Sequence, residues 1–168
     1  MFSGKEWVNL PTFYFEAMER IREIVKRNAE HFGLILVDFN IQKDSIEAVL
    51  YRKNGDVSVY DLERVTMLIR KDLEILNLAD VYGVNLSSAG LDRVLKGREE
   101  LDIFEGRNVQ FTYIEESETF TKQGVLKGNK NDVVLFETEE GFLEIPFEKL
   151  HKVSLFAKEF SKKKGGKK

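Results

Sequence analysis

The side chains best suited to chemistry lie together near the middle of the chain: Ser87, Ser88, Asp92 and Arg93, grouped around Gly90. A serine hydroxyl becomes a nucleophile only beside a base that takes its proton. The two histidines, His31 and His151, are far apart, and neither has companions at metal-ligand spacing. Glu115, Glu116 and Glu118 crowd one expected hairpin tip, and Glu139 with Glu140 another. Paired carboxylates serve acid–base catalysis only where a pocket drives their pKa values apart, and hairpin tips are solvated. No P-loop or dinucleotide fingerprint is present; Gly124 and Gly128 read as strand and turn punctuation. The residues therefore predict no catalytic group, no metal and no cofactor. What remains is binding chemistry. The planar fork of Arg93 suits a phosphate or a partner carboxylate, with a local Asp92–Arg93 ion pair as the plainer use. Gly90 is expected to supply a left-handed turn, held by the hydroxyls of Ser87 and Ser88.

The elements that must carry these residues are legible from periodicity. Met18, Ile21, Ile24, Val25, Ala29 and Phe32 recur at helical spacing, so a helix is expected from about Pro11 or Glu16 to His31, ended by Gly33. Trp7, Phe13, Tyr14 and Phe15 make residues 1–15 too aromatic for a free tail. A strand follows with Ile35, Val37, Phe39 and Ile41 on one side, and a returning strand runs over 46–53. Ser58 and Asp61 have the spacing of a helix capping box. The helix they open carries Leu62, Val65, Leu68, Ile69, Leu73 and Leu76 on one face. A strand over 82–86 then enters the central turn. This order, helix–strand–strand–helix–strand, predicts two helices covering one face of a three-stranded sheet.

Beyond a short helical segment at 98–104 the pattern is almost entirely strands. Five are expected between residues 107 and 157, with an acidic tip at Glu115–Glu118, a bend at Gly124, a turn at 128–131 and a helical turn at 146–150. Closing five short strands into a small barrel would remove their exposed edges. The fold class is thus α+β: an αββαβ domain followed by a small β-barrel.

Net charge is −3, but the seven residues from Lys162 to Lys168 hold five lysines, which leaves −8 for residues 1–161. Such a body is a poor general grip on phosphate and suits a basic protein partner better. The lysine-rich tail reads as a disordered arm with loose attraction for RNA. With no cysteine, no leader-like N-terminus and no apolar run of membrane-spanning length, a cytoplasmic protein without membrane contact is expected, as a monomer.

The stretch Ser87-Ser88-Ala89-Gly90-Leu91-Asp92-Arg93-Val94-Leu95 resembles the Ser-Ser-Pro-Gly-Leu-Asp-Arg-Pro-Leu signature of the ribosome maturation factor RimP family, with Ala89 and Val94 in place of two prolines. Phe32-Gly33-Leu34, Gly55-Asp56-Val57-Ser58 and Ile145-Pro146-Phe147-Glu148-Lys149-Leu150 resemble further family positions, in order, so the resemblance covers roughly residues 16–158. It implies that the C-terminal barrel is SH3-like. It also implies a non-catalytic assembly factor that binds the free small ribosomal subunit, through a basic ribosomal protein and ribosomal RNA, and promotes its maturation. The division expected is an N-terminal extension over 1–15, the αββαβ domain over 16–91, a linker over 92–106, the barrel over 107–158 and the tail over 159–168. Expected partner-binding residues are Ser87, Ser88, Gly90, Leu91, Asp92, Arg93, Arg98 and Arg107, and Arg93→Ala is expected to weaken binding with the fold intact. The rival reading is a general RNA- or protein-binding adaptor with a non-ribosomal client, since fold alone does not set function.

Overall fold

A computed structural model describes residues 4–157, so the lysine-rich tail at 159–168 lies outside the described residues. The chain divides into two compact units, Met1–Ala89 and Gly90–Lys168.

The first unit is built from α1 (Gly4–His31), β1 (Ile35–Gln42), β2 (Ser45–Tyr51), α2 (Val59–Ile75) and β3 (Gly83–Ser88). Its sheet has the order β1-β2-β3, antiparallel between β1 and β2 and parallel between β2 and β3. The apolar stripe of α1 closes on that of α2 over the sheet. Ile21, Val25 and Ala29 meet Val65, Ile69 and Leu73 above Ile46, Ala48 and Leu50, all almost fully buried. α1 begins at Gly4, upstream of the start expected from periodicity, and Phe13, Tyr14 and Phe15 are exposed on it. Gly33, at φ +68°, ends the helix as expected, and the Leu34 N–H reaches back to the Ala29 carbonyl at 3.0 Å.

Strict alternation along β1 does not survive. The register shifts between Leu36 and Asp38, so Leu36, Phe39 and Ile41 turn to the core rather than the set Ile35, Val37, Phe39 and Ile41. One extra residue in a strand reverses the facing of everything before it. A polar residue also sits inside the apolar stripe of α1. The Asn28 amide donates to the Ile24 carbonyl at 2.9 Å and to Asp72 Oδ2 at 2.8 Å, which joins α1 to α2.

The capping box of α2 is present, and Arg52 extends it. Ser58 N–H and Oγ donate to Asp61 Oδ2 at 2.9 and 2.8 Å, while the Asp61 N–H donates to Ser58 Oγ at 3.1 Å. Arg52 grips both Asp61 oxygens at 3.1 Å and reaches the Phe32 and Asp56 carbonyls, tying the end of α1 and the loop to the start of α2. The Arg52 guanidinium, then the Ser58 donors, hold the Asp61 carboxyl well below the usual carboxylate range. Asp72 is lowered too, by the Asn28 amide first and then by Arg27. A carboxylate with a depressed folded-state pKa binds its proton more readily in the unfolded chain, so it stabilises above the unfolded value and that stability is lost on acidification. Urea midpoints are therefore expected to fall as pH drops below about 4. Asp61→Asn is expected to flatten that fall, and an unchanged pH slope would remove Asp61 as its source.

The second unit contains α3 (Gly97–Ile103), β4 (Asn108–Glu115), β5 (Glu118–Lys130), β6 (Val133–Thr138), β7 (Gly141–Pro146), a 3-10 turn (Phe147–Lys149) and β8 (Leu150–Leu155). All pairings are antiparallel, in the order β7-β6-β5-β4-β8. The α+β class is as expected. The five strands follow one another in a single antiparallel sheet, and among the described residues no hydrogen-bond ladder joins β7 to β8. The alternating face of β4 supplies Val109, Phe111 and Tyr113 to the core, where Phe111 stacks on Phe136 with ring centroids 3.8 Å apart. The turn expected at 128–131 lies later. β5 runs to Lys130, shifts register between Leu126 and Gly128, and turns on Asn131 and Asp132, both at positive φ. A two-residue hairpin turn with both residues left-handed matches the twist of its strands.

Residues 92–106 contribute packed structure to this unit. Leu95, Leu101 and Phe104 are buried with its core. The backbone on either side of Val94 pairs with β8: Leu95 N–H donates to the Val153 carbonyl at 2.8 Å, and Leu155 N–H to the Arg93 carbonyl at 2.8 Å.

Candidate functional site

The central stretch spans the end of the first unit and the start of the second. Ser87 and Ser88 are strand residues, paired in parallel register with Val49 and Leu50 of β2. The turn they were expected to hold begins after them. Their side chains stay exposed, but the backbone is committed to the ladder, which continues through the Ala89 N–H to the Leu50 carbonyl at 3.0 Å.

The turn proper is Gly90–Leu91–Asp92–Arg93, closed by the Arg93 N–H on the Gly90 carbonyl at 3.3 Å. Gly90 is not left-handed, contrary to expectation; it is the residue that enters the turn, ahead of the two corner residues Leu91 and Asp92, and that position does not need a positive φ. Its lack of a side chain still matters locally, because a Cβ there would stand 3.3 Å from Asp92 Oδ1. Leu91, 67% exposed, and Asp92 point outward from this turn.

Arg93 does something else. Its Nε donates to Glu100 Oε2 at 3.0 Å and its Nη2 to Glu100 Oε1 at 2.6 Å, a two-pronged pair with side-chain exposures of 12% and 6%. The Lys96 N–H also donates to Glu100 Oε2, at 3.1 Å. The guanidinium's acidic partner is thus Glu100 in α3 and not the neighbouring Asp92. Arg93 anchors the start of the second unit onto α3, and Leu91 and Asp92 are displayed from that anchored turn. Glu100 went unnoticed in the sequence because Arg98-Glu99-Glu100 reads as a solvated charge run; only its place one turn before the buried Phe104 hints at an inward face.

The other two arginines are apart from this pair. Arg98 forms an ion pair with Asp132 and lies over the Phe147 ring, 4.5 Å from its centroid, while half exposed. Arg107 follows α3: its N–H donates to the Phe104 carbonyl at 3.1 Å and its carbonyl accepts from Leu126 N–H at 3.0 Å. No group of three or more His, Cys, Asp or Glu among the described residues is arranged to hold a metal ion. No helix among them is long and apolar enough to cross a membrane. His31 stands edge-on to Phe32, with centroids 5.0 Å apart, in the first unit, and His151 lies on β8 in the second.

The two departures from the proline pattern have different structural weights. The Ala89 N–H is a donor in the sheet, so Ala89→Pro would remove that bond and set its ring against the Leu50 carbonyl. A loss of about 1–3 kcal/mol is expected. The bridge around Val94 uses the amides of Leu95 and Leu155 and not that of Val94, so Val94→Pro leaves it whole. Its expected effect is a change within about 1 kcal/mol, in the stabilising direction through a stiffer unfolded chain. Urea unfolding of the two variants, followed by separate resonances of each unit, checks the contrast; equal losses would contradict it.

No family model matches the chain. Among curated proteins, it is 25% identical over 148 residues to the ribosome maturation factor RimP of Borreliella afzelii, covering 84% of this chain and 97% of that protein. It is 24% identical over the same length, with the same coverage, to the ribosome maturation factor RimP of Borrelia garinii subsp. bavariensis. The similarity to RimP proteins therefore runs through both units and through the central turn.

Proposed function

We propose that this protein is a ribosome maturation factor of the RimP type: a non-catalytic, cytoplasmic protein that binds the free small ribosomal subunit and promotes its maturation. The observation that carries this reading is the similarity to two RimP proteins across 84% of the chain and 97% of theirs, which leaves little of either outside the match. The charge distribution agrees with it. An acidic body suits a basic ribosomal protein, and contact with ribosomal RNA falls to local groups such as Arg98, Arg107 and the lysine-rich tail. Within the first unit the exposed hydroxyls of Ser87 and Ser88, and within the second Leu91, Asp92 and the backbone at Gly90, are the residues we assign to partner contact. Arg93 supports the latter by holding the turn. We further propose that the two units act as two domains, with the second drawing on the segment from Gly90 onward.

Assembly help of this kind needs only differential affinity. A factor that binds one conformer of the subunit more tightly raises its population, and later proteins then join it. No covalent step is required. The test is co-sedimentation of the purified protein with free small subunits, large subunits and joined ribosomes at two salt concentrations. Selective migration with free small subunits is expected, with a shallow salt response if protein contacts outweigh phosphate contacts. A folded sample that migrates with none of them, yet binds an unrelated RNA or protein, would replace this reading with the adaptor.

A further inference from the structure

Within the second unit, β7 is the outermost strand on its side of the sheet. Its register fixes which backbone groups it offers. The two-residue turn at Asn131–Asp132 makes Lys130 and Val133 a hydrogen-bonded pair. Direction alternates along β6, so Val134, Phe136 and Thr138 bond to Ile145, Leu143 and Gly141 of β7. The Phe147 N–H continues this ladder to the Asp132 carbonyl at 2.8 Å. The N–H and C=O of Phe142 and Glu144, and the carbonyl of Pro146, therefore face away from β6. Among the described residues no strand pairs with them. The opposite edge differs, because the chain itself covers β8 through the bonds at Arg93 and Leu95.

An open edge is a template for another strand. Charge and side-chain pattern select what this one takes. Residues 139–148 hold four glutamates and no basic residue. Glu140 already receives Lys122, but Glu144, in the middle of the edge, is exposed and has no ion pair among the described residues. Phe142, 69% exposed, and Glu144 lie on one face of β7, while Leu143 and Ile145 turn toward the core. A strand laid alongside continues both faces, so it meets a carboxylate on one and apolar groups on the other. A second copy of β7 would instead set like charges against each other across the new ladder.

We propose that the β7 edge binds an extended segment of a partner protein in which basic and apolar residues alternate, adding it to the sheet as a further strand. Backbone bonds to Phe142 and Glu144 hold the segment, and the Glu144 carboxylate selects a basic one. Pro146, with no N–H to offer, ends the pairing. This names a surface and a binding mode that the ribosomal reading leaves open, and it is tested without ribosomes, so either can fail alone.

The probe is a short capped peptide alternating lysine and valine, titrated into the full isotope-labelled chain at about 0.05 M salt. Amide hydrogen exchange reports strand addition directly. Exchange at Phe142 and Glu144 is expected to slow about tenfold or more at saturation. Glu144→Pro deletes one outward N–H and leaves the ladder to β6 whole, because that amide takes no part in it. It should weaken the peptide about tenfold. Glu144→Lys keeps the N–H and should weaken it about fivefold through charge alone. The same peptide N-methylated throughout keeps its charge but cannot pair as a strand, and it should leave both amides unprotected. Binding without slowed exchange at these two amides would mean charge attraction only and overturns the proposal. So does protection centred on another strand, equal affinity for the N-methylated peptide, or no binding up to about 1 mM. Protection that grows with protein concentration in the absence of peptide would assign the edge to a second copy and overturn it as well.

Discussion

Arg93→Ala is expected to destabilise the unit spanning Gly90–Lys168 by about 3–5 kcal/mol, the cost of leaving one member of a buried ion pair without the other. Alanine would strand the Glu100 carboxylate, which is only 4% exposed. It would also cut the strut between the turn and α3. Arg93→Lys should recover little, because an ammonium cannot reproduce the two parallel contacts at 3.0 and 2.6 Å. Glu100→Ala should cost a similar amount, and a double-mutant cycle should show strong coupling, since both single changes break one interaction. Replacing both by apolar residues, Arg93→Met with Glu100→Leu, should restore most of the loss, because neither charge is then buried alone. Urea unfolding read from resonances of each unit measures these values. A loss below about 1 kcal/mol for Arg93→Ala would mean that the pair behaves as a solvated surface bridge. The expectation that Arg93→Ala leaves the fold intact is therefore replaced, and weakened subunit binding by that variant would not locate a contact. Leu91→Ala and Asp92→Asn are the cleaner probes, because those side chains are exposed and the turn that presents them is kept.

Gly124→Ala is expected to cost the same unit about 2–3 kcal/mol, by overpacking between two strands. A Cβ on residue 124 would stand 2.5 Å from the Glu137 carbonyl oxygen, 3.2 Å from its carbon and 3.3 Å from Thr138 Cγ2. Backbone atoms cannot swing aside as a side chain can, so β6 must shift from β5 to admit the methyl group. Gly106→Ala provides the comparison: its φ of +89° strains an alanine, but nothing lies within 4 Å of the added carbon. Backbone strain alone is worth about 1–2 kcal/mol. A loss for Gly124→Ala no larger than that for Gly106→Ala would show that β6 yields freely there. Gly124 read in the sequence as a bend. Its actual requirement is close approach to β6, and the irregularity of β5 falls further on, between Leu126 and Gly128.

What the sequence determined by itself was local or compositional. The helical stripes that became α1 and α2, the left-handed stop at Gly33 and the Ser58–Asp61 box depend on residues three or four apart. Those spacings are set by helix geometry whatever the rest of the chain does. The alternation of β4 likewise identified Val109, Phe111 and Tyr113 as an inward face, and the order of elements was enough to divide helices with a small sheet from a run of antiparallel strands. The contact between Arg93 and Glu100, the reversal of β1 at Val37, the pairing of Ser87 and Ser88 with β2, and the collision that forbids a side chain at Gly124 were decided only by tertiary structure. Each depends on which strand or helix lies alongside another, and on the register between them. A serine before a glycine favours a turn locally, yet a parallel neighbour offers its backbone a ladder, and the ladder prevails at Ser88. An arginine beside an aspartate looks paired in one dimension. Folding brings it instead to a carboxylate seven residues away, where burial removes competing water and makes the two-pronged contact the stronger one.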